Sequence, residues 1–258
     1  MLAQSAMRAH PVALCADFDG TIAPIVPEPD LAAADPRVLQ LLGRLAERLM
    51  AVAVISGRDT DELAERLPND RLVLIGNHGL EDRGPAGSRL AREVEPFLPA
   101  LRQAAQALAL RPETQLPGVV VERKRATISV HFRNTVRPAD AGATLGVVLR
   151  DIASATGLEL HPGRLVWELR PPVLIDKGQV LHRLTIAFSP DTIVYIGDDI
   201  TDEAAFIALK EMTDRRTLAV GVRSPEVPAA IFARCDLVLD GVPAVGEFLE
   251  SLLRANGP

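Results

Sequence analysis

The length, composition and charge of the chain exclude several classes of protein. Its 258 residues contain 48% hydrophobic and 24% charged residues, a globular composition with room for one domain or for a main domain that carries a smaller insert. The formal net charge of -6 gives no electrostatic basis for binding nucleic acid, and the apolar runs stop within about ten residues, too short to cross a membrane.

The N-terminus and the two cysteines indicate the compartment. Met1 to His10 lack the basic start and the long apolar run of a secretory signal, so we expect a cytoplasmic protein. Cys15 and Cys235 lie beside apolar residues, which favours packed thiols over a disulfide or a metal site. We expect a monomer with no nucleic-acid or membrane partner.

Short β-branched segments alternate with longer helical patterns in both outer parts of the chain. The predicted strands are Val12 to Asp17, Ala51 to Ser56, Arg71 to Gly76, Thr192 to Gly197 and Thr217 to Val222. The helical patterns between the first strands are Pro36 to Met50 and Asp59 to Leu67. Because each strand is followed by a helix, the sequence predicts a parallel α/β sheet.

The middle of the chain follows a different order. After the turn signal Gly84 to Gly87, a helical stretch reaches about Leu110 and is followed by two strands, a second helix and two more strands. These later segments are Val119 to Arg125, Thr127 to Arg133, Pro138 to Ala155, Leu158 to His161 and Leu165 to Arg170. This αββ-αββ order predicts an inserted α+β cap domain at residues 87–171, within a core formed by residues 1–86 and 172–258.

Two carboxylates, Asp17 and Asp19, follow the first predicted strand. A spacing of two puts them on one side of the chain while strand geometry persists, and Gly20 allows the chain to turn away. Open α/β sheets bind ligands at the carboxyl ends of their strands. One carboxylate can attack a substrate while the other transfers a proton. The alternative role, as turn formers or a helix cap, gives no reason for two acids to converge.

A second acidic cluster, Asp198, Asp199 and Asp202, follows the strand that ends at Gly197. Magnesium binds through hard oxygen ligands, so Asp17 and Asp198 can hold Mg²⁺ jointly. The alternative is that Thr201 to Glu203 cap the helix that follows, and part of this segment is expected to do so.

Two further segments offer groups for an anion. The Ser56 hydroxyl and the amides of Gly57 and Arg58 follow another strand and can hold phosphate oxygens. Lys177, at a predicted helix start, supplies a compact positive charge. The Ser56 segment is a weak signal when taken alone. Lys177 is also weak by itself, because a lone lysine is usually a solvated surface residue.

The four segments together resemble the haloacid dehalogenase superfamily, whose phosphatases carry DxDGT, a Ser or Thr, a Lys and a GDD cluster in this order. The resemblance implies a Rossmann-like hydrolase core in which Asp17 attacks phosphorus and Asp19 protonates the leaving alcohol and later activates water. It implies that Ser56 and Lys177 hold the phosphoryl oxygens.

The same resemblance implies a magnesium site. Its ligands are the side chains of Asp17 and Asp198 and the backbone carbonyl of Asp19, and Asp199 and Asp202 support the site from nearby.

Other motifs resemble the trehalose-6-phosphate phosphatase family, from about Ala13 to Leu249. Gly76 to Glu81 match GxHGxE, Gly197 to Phe206 match GDDxTDE…F, and the insert carries ExK…S…HxR and ExRP. The resemblance implies that the cap closes over the core and selects a sugar phosphate. It implies these substrate-binding residues: Gly57, Arg58, His78, Glu122, Lys124, His131, Arg133 and Glu168.

Without the family, the cap residues support two interpretations. Glu122 and Lys124 alternate along one strand, and His131 and Arg133 along the next, so each pair shares a strand face. Ion pairs on a solvated face explain this pattern as well as sugar binding does. Trp167 is expected to pack in a core rather than to stack on a sugar.

The expected function is therefore Mg²⁺-dependent hydrolysis of trehalose 6-phosphate through an aspartyl-phosphate. The core motifs do not distinguish it from hydrolysis of sucrose phosphate, a mannosylglycerate phosphate or a pseudodisaccharide phosphate from secondary metabolism. Two other classes stay open. One is a phospho-accepting signalling module, against which Asp19 argues because it can activate water, and the other is a non-catalytic sugar-phosphate sensor.

Overall fold

The structure is a computed structural model that describes residues 11–28, 31–84, 87–224 and 227–255. The segment Met1 to His10 and the centre of the predicted turn from Gly84 to Gly87 lie outside these residues. The chain divides into two compact units, a core of Met1–Ser88 with Ile175–Pro258 and a cap of Arg89–Leu174. These divisions fall two and three residues after those predicted from the sequence.

Strands and helices alternate along the described chain. The strands are β1 (Val12–Ala16), β2 (Ala51–Ile55), β3 (Val73–Gly76), β4 (Glu81–Gly84), β5 (Gly87–Leu90), β6 (Val120–Arg123), β7 (Ile128–His131), β8 (Glu159–Gly163), β9 (Val166–Arg170), β10 (Thr192–Gly197), β11 (Arg216–Val222) and β12 (Leu237–Leu239). The helices are α1 (Pro36–Ala46), α2 (Thr60–Arg66), α3 (Leu98–Ala109), α4 (Pro138–Thr156), α5 (Lys177–Phe188), α6 (Glu203–Glu211) and α7 (Val242–Ala255).

The core contains a sheet with the strand order β12-β11-β10-β1-β2-β3-β4-β5. The pairs from β12 to β3 are parallel, and β4 is antiparallel to β3. Ala16 of β1 is in register with Val54 of β2 and Ile196 of β10. The carboxyl ends of these three neighbouring strands therefore lie side by side, and the predicted parallel α/β core is confirmed.

Helices cover both faces of this sheet, which explains why its central strands are apolar without interruption. On one face, side chains such as Leu14 and Val54 pack with residues of α1, α2 and α7. On the other face, Cys15 and Ile55 pack with residues of α5 and α6. Alternate residues of each strand are thus buried in opposite layers, so these strands are held rigidly at the centre of the core.

The cap has an antiparallel sheet in the order β6-β7-β9-β8. Side chains from α3 and α4 form one apolar cluster with one face of this sheet, as the αββ-αββ order predicted. Trp167 packs against that cluster and donates its indole N–H to the Gly142 carbonyl at 2.8 Å, which confirms its packing role.

The segment after β3 differs from the sequence prediction. Gly87–Leu90 is a strand at the sheet edge rather than the start of a helix, and a 3₁₀ segment, Arg92–Phe97, precedes α3. The helix begins at Leu98 because Pro99 is tolerated only in a first helical turn. The sequence analysis did not predict this strand, because the segment carries a glycine and two polar residues and has little apolar alternation.

Both cysteines are free thiols, Cys15 buried in the sheet and Cys235 half-buried. Among the helices that the structure describes, none combines the length and the apolar character needed to span a membrane.

Candidate active site

Asp17 lies directly beyond β1 and is buried. Its backbone N–H donates to the Ile196 carbonyl at 2.9 Å, which extends the pairing of β1 with β10 by one residue. Lys177 is the first residue of α5, which Asp176 caps by accepting from the Gln179 amide at 2.8 Å. The Lys177 Nζ is buried and lies 3.1 Å from Asp17 Oδ1. This lysine is therefore an internal cation beside the predicted nucleophile and not a surface residue.

Asp202 is the centre of a buried hydrogen-bond network. Its Oδ1 accepts from Lys177 Nζ and from the Tyr195 hydroxyl, the latter at 2.6 Å. Its Oδ2 accepts from the backbone amides of Asp198 and Asp199, each at 2.9 Å. Because two donors reach each oxygen, Asp202 orients both the lysine and the loop that carries Asp198.

Tyr195 was not predicted as a site residue. Its position within a strand of aliphatic residues is the available signal, because a buried tyrosine hydroxyl usually has a hydrogen-bond partner. The partner itself, Asp202, cannot be identified from the strand pattern.

Asp17, Asp198 and Asp202 form a buried acidic group in which one oxygen from each lies within 4.8 Å of the others. The chain after β1 is shaped around Asp198. A Cβ on Gly20 would lie 2.1 Å from Asp198 Oδ2, and Gly20 has a φ of +84°. The Thr21 hydroxyl donates to Asp198 Oδ1 at 3.3 Å. Gly20 is therefore required both for its backbone conformation and for the room it leaves.

The electrostatics of this group favour a bound cation. Burial raises the pKa of Asp17 well above its usual range, the charge of Lys177 lowers it, and the charges of Asp202 and Asp198 raise it again. An ionised Asp17 therefore needs positive charge beyond that of Lys177. The oxygens of Asp17 and Asp198 suit a small hard divalent ion, whereas both Asp202 oxygens are already hydrogen bonded.

Asp199 has a capping role. Its side chain accepts from the Ile200 amide at 2.7 Å and forms a capping box with Asp202, at the start of a 3₁₀ turn that leads into α6. The acidic segment thus caps this 3₁₀ turn, whereas Asp202, at the N-cap position of α6, makes no side-chain capping hydrogen bond to that helix.

Ser56 and Gly57 follow β2 and pack against the segment after β3. Ser56 is buried, and its hydroxyl accepts a hydrogen bond from the Arg58 backbone N–H at 3.2 Å. The backbone carbonyl of Ser56 accepts from the His78 backbone N–H at 2.8 Å. A Cβ on Gly57 would lie 2.6 Å from His78 Nε2, so only glycine leaves room for that ring. Asn77 and His78 have φ values of 49° and 57°. The side-chain amide of Asn77 donates from Nδ2 to Glu81 Oε2 at 2.7 Å. Asn77 and Glu81, absent from the predicted site, thus hold His78 beside the turn that carries Ser56 and Gly57.

Asp19 and Arg58 form a two-bond ion pair in the core. Arg58 Nε lies 2.7 Å from Asp19 Oδ2, and Nη2 lies 2.8 Å from Oδ1. The resemblance assigned Arg58 to substrate binding, whereas its guanidinium is directed at the predicted proton-transfer residue.

Four of the predicted cap residues lie together on one face of the cap sheet. Lys124 Nζ is 3.7 Å from Glu122 Oε2 and 4.0 Å from Glu168 Oε1. His131 Nε2 is 3.0 Å from Glu122 Oε2, and the buried Glu168 accepts from the Ser129 hydroxyl at 3.2 Å. We name Glu122, Lys124, His131 and Glu168 the cap cluster. Its alternating donors and acceptors are suited to a polyhydroxylated ligand.

Glu122 and Arg133 have different surroundings in the cap. Burial alone would raise the pKa of Glu122, but the hydrogen bond with His131 and the charge of Lys124 outweigh burial, so this pKa lies below its usual value. Arg133 donates to the Arg164 carbonyl at 3.3 Å, a contact with the turn before β9.

This fold also occurs in known hydrolases. A haloacid dehalogenase-like hydrolase from Bacteroides thetaiotaomicron has a TM-score of 0.64 and 17% identity, covering 94% of this chain and 99% of that chain. The C-terminal domain of the C. albicans trehalose-6-phosphate phosphatase has a TM-score of 0.79 and 22% identity, covering 98% of this chain and 96% of that chain. The protein is thus an α/β protein of the haloacid dehalogenase-like hydrolase fold.

The sequence comparison narrows this class. The trehalose-phosphatase family model matches residues 15–231, and the chain belongs to that family. A trehalose-phosphate phosphatase from Mycobacterium tuberculosis (strain H37Rv) is 36% identical over 250 residues, covering 92% of this chain. This chain spans 60% of the length of that relative.

Proposed function

We propose that this chain is a Mg²⁺-dependent phosphatase that hydrolyses trehalose 6-phosphate. The observation that carries the proposal is the buried site beyond β1 and β10, where Lys177 Nζ lies 3.1 Å from Asp17 Oδ1 and Asp198 lies in the same acidic group. A cation and two carboxylates in one buried site suit a phosphate dianion that binds together with a metal ion. Membership of the trehalose-phosphatase family supports the choice of sugar.

In the first half of the proposed reaction, a carboxylate oxygen of Asp17 attacks phosphorus. The bond from phosphorus to the sugar oxygen breaks, its electron pair stays on that oxygen, and Asp19 supplies the proton that completes the sugar hydroxyl. Lys177 and Ser56 hold the phosphoryl oxygens during the transfer. The products of this half are free sugar and an aspartyl-phosphate on Asp17.

In the second half, water attacks the same phosphorus and gives its proton to Asp19. The bond between Asp17 and phosphorus breaks, its electrons return to the Asp17 carboxylate, and inorganic phosphate leaves. Asp19 is then protonated again, so the protons balance over the cycle.

Mg²⁺ would be held by the side chains of Asp17 and Asp198 and by the backbone carbonyl of Asp19, and when bound it supplies positive charge for the phosphoryl oxygens. Asp202 and Asp199 stabilise the loop that carries Asp198. Phosphate monoesters hydrolyse very slowly without a catalyst, and enzymes accelerate their hydrolysis by up to about 10²¹-fold. Because no single effect supplies this acceleration, positioning, charge neutralisation and a covalent step must act together.

The cap cluster is proposed to bind the sugar. Each sugar hydroxyl donates and accepts a hydrogen bond, and Glu122, Lys124 and Glu168 offer both kinds of partner. A ligand that lacks one hydroxyl would leave a buried polar group unpaired, so the cluster can discriminate between sugars. His131 supports Glu122, at 3.0 Å. The proposal also includes a cytoplasmic location, where the thiols of Cys15 and Cys235 stay reduced.

A panel of phosphate esters tests the substrate. Phosphate release is measured with trehalose 6-phosphate, sucrose 6-phosphate, a mannosylglycerate phosphate and glucose 6-phosphate in the presence of Mg²⁺. We expect the highest kcat/KM for trehalose 6-phosphate. A preference for the monosaccharide phosphate would contradict the proposed role of the cap cluster.

A pair of variants tests the nucleophile. Asp17→Asn should abolish phosphate release, because an amide cannot form the aspartyl-phosphate. Asp214→Asn changes an exposed carboxylate that pairs with Arg215, and it should keep wild-type activity. Binding without turnover in the wild type would favour a sensor, and a long-lived phosphoprotein would favour a signalling module.

A further inference from the structure

Arg58 contacts both carboxylate oxygens of Asp19, the proposed proton-transfer residue. The two nitrogens Nε and Nη2 donate to the two carboxylate oxygens of Asp19 at 2.7 Å and 2.8 Å. The Arg58 side chain is buried, with 7% of its surface exposed, whereas Asp19 is 37% exposed. A two-bond guanidinium–carboxylate pair fixes the orientation of the carboxylate as well as its distance.

The guanidinium is itself held in place from two other sides. Its Nη1 contacts Glu62 Oε1 within the first turn of α2, and its carbon lies 5.4 Å from the centre of the Phe18 ring. Burial would lower the pKa of Arg58, but the hydrogen bond and charge of Asp19 raise it, followed by those of Glu62, so the side chain stays cationic. Arg58 is thus a preorganised group that faces Asp19.

We propose that Arg58 is a positioning residue that orients the Asp19 carboxylate for activation of water in the second half of the reaction. The inference rests on the proposed phosphatase function. In that half, Asp19 has already given its proton to the sugar oxygen, and its carboxylate must receive the proton of the attacking water. The Arg58 pair occupies one lone pair on each oxygen and leaves others free to accept. Without Arg58, Asp19 would rotate, and the aspartyl-phosphate would hydrolyse slowly.

The test uses a leaving group that needs no proton. With 4-nitrophenyl phosphate, the first half-reaction releases nitrophenolate without acid assistance, so rapid mixing separates attack by Asp17 from hydrolysis of the aspartyl-phosphate. We expect Arg58→Gln to release about one equivalent of nitrophenolate per enzyme at no less than about half the wild-type rate. Its steady-state kcat should then fall by about ten- to hundredfold, and KM should fall with it, so that kcat/KM for the sugar phosphate changes by less than about threefold.

Arg66→Gln is the matched control. Arg66 also pairs with Glu62, at the other end of α2, and donates to the Ala32 carbonyl at 3.1 Å. We expect this variant to keep wild-type kcat and KM after correction for the folded fraction. Arg58→Lys should restore only part of kcat, because an ammonium group cannot form two parallel bonds.

A double-variant comparison tests whether Arg58 acts through Asp19. If it does, adding Arg58→Gln to Asp19→Asn should cause little further loss of kcat, because the orienting partner has already been changed. If the double variant instead loses kcat by the product of the two single-variant factors, the inference is overturned.

Two other results would also overturn the inference. A raised KM and weaker inhibition by inorganic phosphate, with kcat unchanged, would identify Arg58 as a substrate-binding residue. Equal losses in the Arg58 and Arg66 variants would indicate a structural role. Failure of the wild type to turn over any phosphate ester would instead contradict the proposed function.

Discussion

The buried hydroxyl of Tyr195 allows a quantitative test of the network around Asp202. Tyr195→Phe removes one hydrogen bond of 2.6 Å to a carboxylate and keeps the ring, which meets Phe206 edge-on at 5.8 Å between centroids. A hydrogen bond to a charged group contributes about 1.5–3 kcal/mol, so we expect the free energy of unfolding of the core to fall by about 2 kcal/mol at neutral pH. The melting temperature should fall by about 4–8 °C.

The same substitution should change how stability depends on pH. Burial raises the pKa of Tyr195 well above its usual value of 10.0, and the charges of Asp202 and Asp17 raise it further. The unfolded chain loses the tyrosine proton above about pH 10, whereas the folded chain keeps it, so the wild type loses about 1.4 kcal/mol per pH unit in this range. The Phe variant has no such group. The stability difference should therefore shrink above pH 10 and vanish near about pH 11 to 12.

Urea unfolding of both proteins, followed by circular dichroism, measures this difference across the pH range. Fluorescence of Trp167, the single tryptophan of the chain, reports on the cap separately. Thr185→Val is the control, because it removes a hydroxyl that donates to the neutral Leu181 carbonyl at 2.7 Å. Its cost should be smaller, about 0.5–1.5 kcal/mol, and independent of pH above 10. A loss below about 0.5 kcal/mol in the Phe variant, or a loss that stays constant to high pH, would refute the reasoning.

Gly20, Glu122 and Cys15 each give a further prediction. Gly20→Ala should abolish Mg²⁺-dependent turnover, because its Cβ would lie 2.1 Å from Asp198 Oδ2; retained magnesium activation would contradict this arrangement. Glu122→Gln should destabilise the cap at neutral pH but not at low pH, because the lowered pKa of Glu122 adds stability above its usual value of 4.5 that is lost as the pH falls through the folded value. Melting curves of both proteins at neutral and acid pH test this. Burial raises the pKa of Cys15 to about 12, so a thiol reagent should label Cys15 only at the rate of unfolding. Rapid labelling of Cys15 itself in the native protein, located by peptide mass spectrometry, would count against its burial.

The sequence pattern predicted the fold class because local periodicity determines it. Strands buried on both faces are apolar throughout, and the cap strands alternate, so the two sheets differ in pattern before any contact is known. The polar residues that directly follow the three central apolar strands are Asp17, Ser56 and Asp198. They meet because parallel strands bring their carboxyl ends to one edge, and a strand order with β1 between β2 and β10 makes them neighbours. The edge strand β5 was missed, because neighbouring backbone atoms rather than its own side chains determine its pairing.

The sequence alone therefore determined the class of fold and the groups that carry the proposed chemistry, since both depend on residue type and short-range spacing. Only the tertiary structure decided which partner each group has. Asp19 and Arg58 are 39 residues apart in the chain, and Lys177 and Asp202 are 25 apart. Hydrogen bonds and ion pairs act over about 3 Å, so such partners are known only after the intervening strands and helices have packed.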